Sequence, residues 1–173
     1  SGHRRAEACR RLSIETIPCI VKELTRDEAT VILVDLNLQR DEVLPSEKAH
    51  AYKMKMDALK NQGARTDLTS TQSVSKFRTA EEVGKENNES RETVRRYIRL
   101  TYLIPEILKL VDEGRIAFTP AVELSFLSLE EQHEVYGFYE NEEVTPSYSQ
   151  TVRMKKLHTE GQLTSDRISE IMA

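Results

Sequence analysis

The sequence has few of the residues that build metal, disulfide or membrane sites. Its only cysteines are Cys9 and Cys19, it has no tryptophan, and its four histidines are scattered. The cysteine spacing matches no zinc or redox motif, so we expect reduced cysteines in a cytoplasmic protein. No apolar run approaches the roughly 20 residues that span a bilayer. The first residues are charged, unlike a signal peptide.

The charge balance excludes a general polyanion binder. The chain has 173 residues, of which 31% are charged and 38% hydrophobic, and its net charge is −4. This length suggests one domain or two small ones. A protein that binds any polyanion should be basic overall. DNA binding therefore requires a local reversal of sign, because the field at the docking face matters more than the sum.

The first part of the chain resembles a piece of an α/β unit. Arg4–Leu12 is a basic helical stretch, and Thr16–Leu24 has the β-branched residues and alternation of a strand. Asp27 could cap the helix that follows. A lone strand cannot satisfy its backbone. We therefore expect this strand to pair between chains, or the chain to be a fragment that begins inside a domain.

Helical patterns follow from Pro45 onward. Pro45–Gln62 is amphipathic and closed by Gly63, and Ala64–Lys76 is a linker candidate rich in Ser and Thr. The predicted helix boundaries after the linker are Thr119-Pro120, Ser128-x-x-Glu131, Thr145-Pro146, and the glycines Gly114 and Gly161. A last short helix is predicted at Ser165–Met172.

The predicted fold class is mainly α, with the remnant of an α+β domain before an all-helical domain. We place a partial N-terminal domain at 1–62, the linker at 63–76, and a helical DNA-binding domain at 77–173, with a helix-turn-helix at 79–101.

The helix-turn-helix prediction rests on residue types at fixed spacing. Gly84 suits the crossing of two helices, and Asn88 suits a turn with positive φ. Ser90 is a good N-cap for the second helix. Val94, Tyr97 and Ile98 recur on one side of that helix and can pack inward.

The second helix concentrates positive charge. Ser90–Thr101 contains four arginines and one acid, a local charge of +3, so the rest of the chain carries −7. Residues near the start of such a helix usually meet base edges, whereas later ones meet phosphates. We predict base readout by Ser90, Arg91, Thr93 and Arg95, and phosphate contacts by Arg96 and Arg99. Thr79 and Thr119 are further candidates, Thr119 at a helix start.

Other readings of the same residues stay open. The arginines could be the solvated face of an ordinary helical hairpin or scaffold. The helix could serve a transcriptional regulator rather than a partition protein. An enzyme is disfavoured, because no carboxylate pair lies near a histidine at motif spacing and no glycine loop could cradle phosphate.

Four segments resemble, in order, the ParB family of DNA-partition proteins. Gly2-His3-Arg4-Arg5-Ala6-Glu7-Ala8 is similar to the family's GERRxRA box, and Asn37-Leu38-Gln39-Arg40 to the end of its ENxQR box. The helix-turn-helix follows. The stretch from Glu113-Gly114-Arg115-Ile116 to Pro120-Ala121 is then similar to the segment EGKLSxGHA. The match covers almost the whole chain. It implies that the chain is the central part of a family member, cut at both ends.

The resemblance implies further properties. Family members bind a centromere-like palindrome as homodimers, work with a ParA-type ATPase on the nucleoid, and bind and slowly hydrolyse CTP with Mg²⁺. The implied nucleotide-site residues are Gly2, Arg4, Arg5, Asn37, Gln39 and Arg40. Leu36 replaces the family's glutamate, a metal ligand, and leucine cannot ligate a metal. We therefore expect no cofactor to be required for DNA binding, CTP only in the full-length protein, and no enzyme activity from this part.

Overall fold

The computed structural model describes residues 2–40, 42–66 and 89–173. Helices occupy most of these ranges, and no strand forms within them. The mainly helical fold class is therefore confirmed. The helices are α1 (His3–Arg11), α2 (Arg26–Leu38), α3 (Pro45–Thr66), α4 (Arg91–Leu100), α5 (Pro105–Asp112), α6 (Phe118–Leu124), α7 (Leu129–Glu142), α8 (Tyr148–Thr159) and α9 (Ser165–Met172).

Helices α2 and α3 pack along each other as a pair. Thr25, rather than Asp27, caps α2, and it forms a reciprocal capping box with Glu28. These hydrogen bonds from the Thr25 backbone and hydroxyl lower the pKa of the Glu28 carboxyl. The buried Lys55 ammonium of α3 pairs with the Asp35 carboxylate of α2, which fixes the two helices in register.

Helix α3 also packs against α4 and α5. At its start, the backbone N–H and hydroxyl of Ser46 both donate to the carboxylate of Asp112 at the end of α5. Farther along, the fully buried Tyr52 and Val94 form a small apolar cluster between α3 and α4. The predicted division of the chain at residue 62 stays a prediction. The structure adds that α3 contacts helices on both sides of it.

The main core lies among α4 to α9. Leu100, Ile107, Leu124, Met154 and Ile168 are each at most 1% exposed within it. The buried side chain of Gln132 joins two loops of this core. Its Nε2 donates to the carbonyls of Tyr102 and Leu127 at 3.2 and 3.1 Å, and its Oε1 accepts from the Ile104 backbone N–H at 2.9 Å. An amide that makes all these bonds is satisfied in the core and specifies a single packing.

Several predicted boundaries are confirmed. Ser128 and Glu131 form the capping box that starts α7. Gly114 and Gly161 follow α5 and α8 with φ of +73° and +67°, a region where side chains are strained. Helix α9 spans the predicted residues Ser165–Met172.

Other predicted boundaries are wrong. Thr16–Leu24 forms neither strand nor helix, and Ile20 and Val21 are 87% and 88% exposed. Strand-like composition cannot create a strand without a partner. Helix α3 continues through Gly63 to Thr66, because glycine within a helix costs only about 1 kcal/mol and does not end it.

The two predicted Thr-Pro helix starts are also wrong. Helix α6 begins at Phe118, after Ala117 as N-cap, so Thr119 lies inside the first turn. Helix α8 begins at Tyr148, two residues beyond Pro146, because Ser147 and Gln150 form a reciprocal capping box. The capping box satisfies two backbone donors and outcompetes the proline signal.

Candidate nucleic-acid interface

Helix α4 presents one side to the protein and the other to solvent. Val94 and Leu100 are fully buried, and Tyr97 and Ile98 pack against the same clusters, as their spacing predicts. Ser90 caps the helix by accepting a hydrogen bond from the Thr93 backbone N–H at 3.0 Å, and its hydroxyl also meets the Thr93 hydroxyl at 2.8 Å. The predicted N-cap is therefore confirmed.

The four predicted base-reading residues lie at the exposed start of α4. Ser90 and Arg95 are exposed, and Arg91 and Thr93 are half-buried. Arg91 and Arg95 are one helical turn apart and share a face. The first four backbone N–H groups of a helix point outward from its start and carry partial positive charge. This end of α4 therefore offers both side-chain donors and a positive field to an acidic ligand.

Arg96 links α4 to the start of α6. Its Nη2 donates to the Thr119 hydroxyl at 2.9 Å, and its guanidinium lies 5.1 Å from the centroid of the Phe118 ring. Two predicted DNA contacts that are 23 residues apart in sequence thus come together. Thr119, in the first turn of α6, therefore lies beside α4, and Arg96 keeps further N–H donors beyond this bond.

Arg99 has a different environment from the other arginines. Its Nε donates to the Ser125 hydroxyl at 3.1 Å, and its Nη2 donates to the Ser125 carbonyl. The guanidinium also lies over the rings of Tyr102 and Phe126. Burial lowers the pKa of this guanidinium from its ordinary value. The predicted phosphate contact by Arg99 stays a prediction, although its Nε, its Nη2 and the faces of its guanidinium have partners within the protein.

Glu89 anchors the residue before the N-cap. Its carboxylate pairs with the Lys48 ammonium of α3 at 3.2 Å, and that ammonium lies 5.3 Å from the centroid of the Tyr97 ring. Burial, together with the Glu89 carboxylate, raises the pKa of the Tyr52 hydroxyl. The Glu89 carboxylate therefore fixes the start of α4 on α3.

Three residues that the helix-turn-helix prediction names, Thr79, Gly84 and Asn88, lie outside the described residues. The structure therefore bears on the second helix of the motif only.

The predicted nucleotide-site residues lie on two separate segments. Gly2 precedes α1 with a φ of +94°, and Arg5 is exposed on that helix, as is Arg40 after α2. Arg4 lies in α1, but its side chain is outside the described set. The described ion pairs of α1 are internal, from Glu7 to Arg10 and Arg11. Asn37 is half-buried in α2, and Gln39 is the exposed C-cap residue.

The described residues do not fit a triphosphate with a bound Mg²⁺. Leu36, at the position of the missing glutamate, is 44% exposed and offers no oxygen. The neighbouring Asp35 carboxylate is held by the buried Lys55. Its pairing removes the nearest hard oxygen ligand from a metal. No group of three His, Cys, Asp or Glu residues is placed to hold a metal in the ranges that the structure describes.

Sequence reasoning missed the side chains that surround the arginines. The Phe118 ring contacts Arg96. The cations of Arg99 and Lys155 both contact the Phe126 ring. Phe126 is 37% exposed despite its size, but nothing in its local pattern indicates a cation partner 27 residues earlier in the chain.

No helix of the described ranges has the length and apolarity to cross a membrane.

Comparisons with known proteins give related sequences and a related fold. The chain is 31% identical over 140 residues to the chromosome-partitioning protein Spo0J of Thermus thermophilus, covering 81% of this chain and 45% of that protein. It is 31% identical over 132 residues to a nucleoid occlusion protein of Listeria innocua, covering 76% and 40%. The chain thus spans less than half the length of these relatives. No family model matches it.

A solved structure has a similar fold. It is the C-terminally truncated chromosome-partitioning protein ParB of Caulobacter crescentus, complexed to the centromeric parS site. The TM-score is 0.52 at 21% sequence identity, and the match covers 99% of this chain and 72% of that one. At this identity the likeness concerns the fold alone.

Proposed function

Because this chain belongs to the ParB family of partition proteins, we propose that it binds double-stranded DNA at a centromere-like palindromic site. Helix α4 enters the major groove, and the start of α6 contacts the sugar-phosphate backbone of the DNA beside that groove. Ser90, Arg91, Thr93 and Arg95 read base edges, whereas Arg96 and Thr119 bind phosphate. Arg99 is not part of the contact surface.

One observation carries this proposal. Helix α4 buries Val94 and Leu100 in the protein, yet Ser90 and Arg95 at its start stay exposed. A recognition helix needs this division, because it must be held rigidly from behind while its first residues reach the bases. An arginine fork can donate two bonds to guanine O6 and N7, so Arg91 and Arg95 favour guanine.

We propose that two copies of the chain read the two halves of the palindrome. Twofold symmetry of a dimer matches an inverted repeat, and each α4 then faces the same sequence. The physiological role that we propose is DNA partition with a ParA-type ATPase on the nucleoid. We propose this role for the whole protein, because the chain matches less than half the length of these relatives.

A second candidate is a transcriptional regulator that lacks a nucleotide-driven clamp. The observation in its favour is the pairing of Asp35 with Lys55 next to the exposed Leu36. Calorimetric titration of the full-length protein with CTP and Mg²⁺, with and without its DNA site, separates the candidates. Binding of CTP favours partition, and its absence with intact DNA recognition favours the regulator.

The first prediction is that selection from a random pool of duplexes returns an inverted repeat. The chain is bound to the pool through several rounds at fixed salt, and the recovered sequences are aligned. We expect two half-sites one helical turn apart or a multiple of it, about 34–36 Å per turn. Recovery of unrelated sequences would overturn site-specific binding.

The same experiment tests α4 through a matched pair of variants. Arg95→Ala should weaken binding to the selected site by about 1–3 kcal/mol and relax the base preference at one position of each half-site. The control is Arg153→Ala on α8, which removes an equal charge from another exposed position and should leave the base preferences unchanged. An unaltered preference in Arg95→Ala would remove α4 from the readout.

A further inference from the structure

Arg99, near the end of α4, bonds to Ser125 at the end of α6, and the proposed base readout does not use this contact. Ser125 is the C-cap residue of α6 and is only 3% exposed. Arg99 donates to both its hydroxyl and its carbonyl. The Ser125 hydroxyl in turn donates to the Val122 carbonyl at 2.7 Å. The acceptor is therefore held rigidly before Arg99 reaches it.

The guanidinium of Arg99 is also fixed by aromatic rings. Its carbon atom lies 4.7 Å from the centroid of the Tyr102 ring and 3.9 Å from that of Phe126. The Lys155 ammonium of α8 lies 3.7 Å from the same Phe126 centroid and pairs with the Glu123 carboxylate at 2.7 Å. Cations over ring faces are attracted by the ring quadrupole. Through Phe126, the end of α4 is thus coupled to α8 as well as α6.

A second tie lies at the other end of α6. Arg96 bonds to Thr119 in the first turn of α6, whereas Arg99 bonds to Ser125 at its C-cap. Arg96 and Arg99 are adjacent on α4 because they are three residues apart. A helix held at one point can pivot about it, but contacts to both ends of a neighbouring helix fix the angle between the two.

We infer that Arg99 is a positioning residue for DNA sequence discrimination, and this inference rests on the proposed function. It holds α4 at one angle to α6, so that Arg91 and Arg95 meet base edges while Thr119 meets the backbone. Hydrogen bonds to bases are directional and weaken steeply when misaligned. The attraction of charges to phosphate tolerates displacement. Loss of the tie therefore reduces specific binding and spares non-specific binding.

The test compares Arg99→Lys and Arg99→Met with the unaltered chain. The dissociation constants for the selected site and for a scrambled duplex are measured at several salt concentrations, alongside thermal unfolding. Lysine keeps the charge but lacks the planar fork that reaches both Ser125 oxygens. We expect both variants to lose about tenfold in affinity for the selected site, comparable to the loss of one base contact. Affinity for the scrambled duplex and the salt slope should stay unchanged.

Two outcomes would overturn the inference. Arg99 would be a phosphate contact if Arg99→Lys kept full affinity for the selected site and Arg99→Met had a reduced salt slope. Unchanged discrimination in Arg99→Lys would make the tie irrelevant to readout, and this variant decides the matter if Arg99→Met does not stay folded. Failure of the proposed function is recognised separately, because the unaltered chain would then not distinguish the two duplexes.

Discussion

At the scale of single residues, charged side chains inside the protein decide which groups are left for a ligand. Lys55 is 1% exposed and would be costly to bury without the Asp35 carboxylate. Glu89 is half-buried beside Lys48 at the start of α4. Both pairs join α3 to a neighbouring helix. The carboxylates of both pairs therefore have structural partners.

The residue-scale prediction concerns the Asp35–Lys55 pair. Asp35→Ala should lower the free energy of unfolding by about 1–3 kcal/mol, because it removes a carboxylate that a buried ammonium contacts. The matched control is Asp57→Ala, whose partner Lys60 is 42% exposed on the same helix α3. Such an exposed pair contributes at most about 1 kcal/mol. Denaturant unfolding of both variants makes the comparison, and equal losses would contradict a structural role for Asp35.

At the scale of elements, α4 depends on its cap as much as on its apolar side. Its ten residues are too few for a stable isolated helix, so packing and capping must hold it. Ser90 satisfies the Thr93 N–H at the start of α4, next to the Glu89–Lys48 pair that anchors this end to α3. Capping and the proposed base readout therefore involve the same residue, Ser90.

The element-scale prediction separates these two roles of Ser90. Ser90→Ala should reduce stability by about 1 kcal/mol through loss of the cap, whereas Ser90→Asn should restore it. If Ser90 only caps the helix, Ser90→Asn also restores affinity for the selected site. Thermal unfolding and site-specific binding are measured on both variants. Ser169→Ala, at an exposed serine of α9 whose hydroxyl donates to the Ser165 carbonyl of the same helix, is the control and should change neither quantity.

At the scale of the whole molecule, an acidic chain concentrates positive charge on one helix. Ser90–Thr101 carries +3 and the rest of the chain carries −7, so the remainder as a whole repels DNA. Arg96 lies where α4 meets α6. Repulsion elsewhere favours a single docking orientation and weakens binding to unrelated DNA.

The whole-molecule prediction is a change in salt dependence. The logarithm of the DNA affinity should fall linearly with the logarithm of salt concentration, and Arg96→Gln should reduce that slope by about 1 if Arg96 binds one phosphate. The control Arg167→Gln alters net charge equally on α9, where Arg167 pairs with Glu170. Fluorescence anisotropy over a series of salt concentrations measures the slopes. Equal slopes in the two variants would place Arg96 away from phosphate.

The sequence alone determined the helical class, most helix boundaries after Pro45 and the inward side of α4. These features depend on local rules, since capping residues, glycines and a 3.6-residue period act within a few positions. Ser90, Ser128 and Gly114 therefore stand where the pattern predicts. Thr119 and Thr145 were misassigned as caps because competing local signals, such as the Ser147–Gln150 box, were stronger.

Only the tertiary structure decided what each arginine of α4 does. Arg95 and Arg99 carry the same charge one turn apart, and their spacing gives no reason to separate them. The separation comes from Ser125 and Phe126, which lie 26 and 27 residues beyond Arg99 and reach it only when α6 packs beside α4. Burial and hydrogen-bond partners are properties of that packing. They distinguish Arg99, which is bonded to the end of α6, within a stripe of arginines that the sequence makes look uniform.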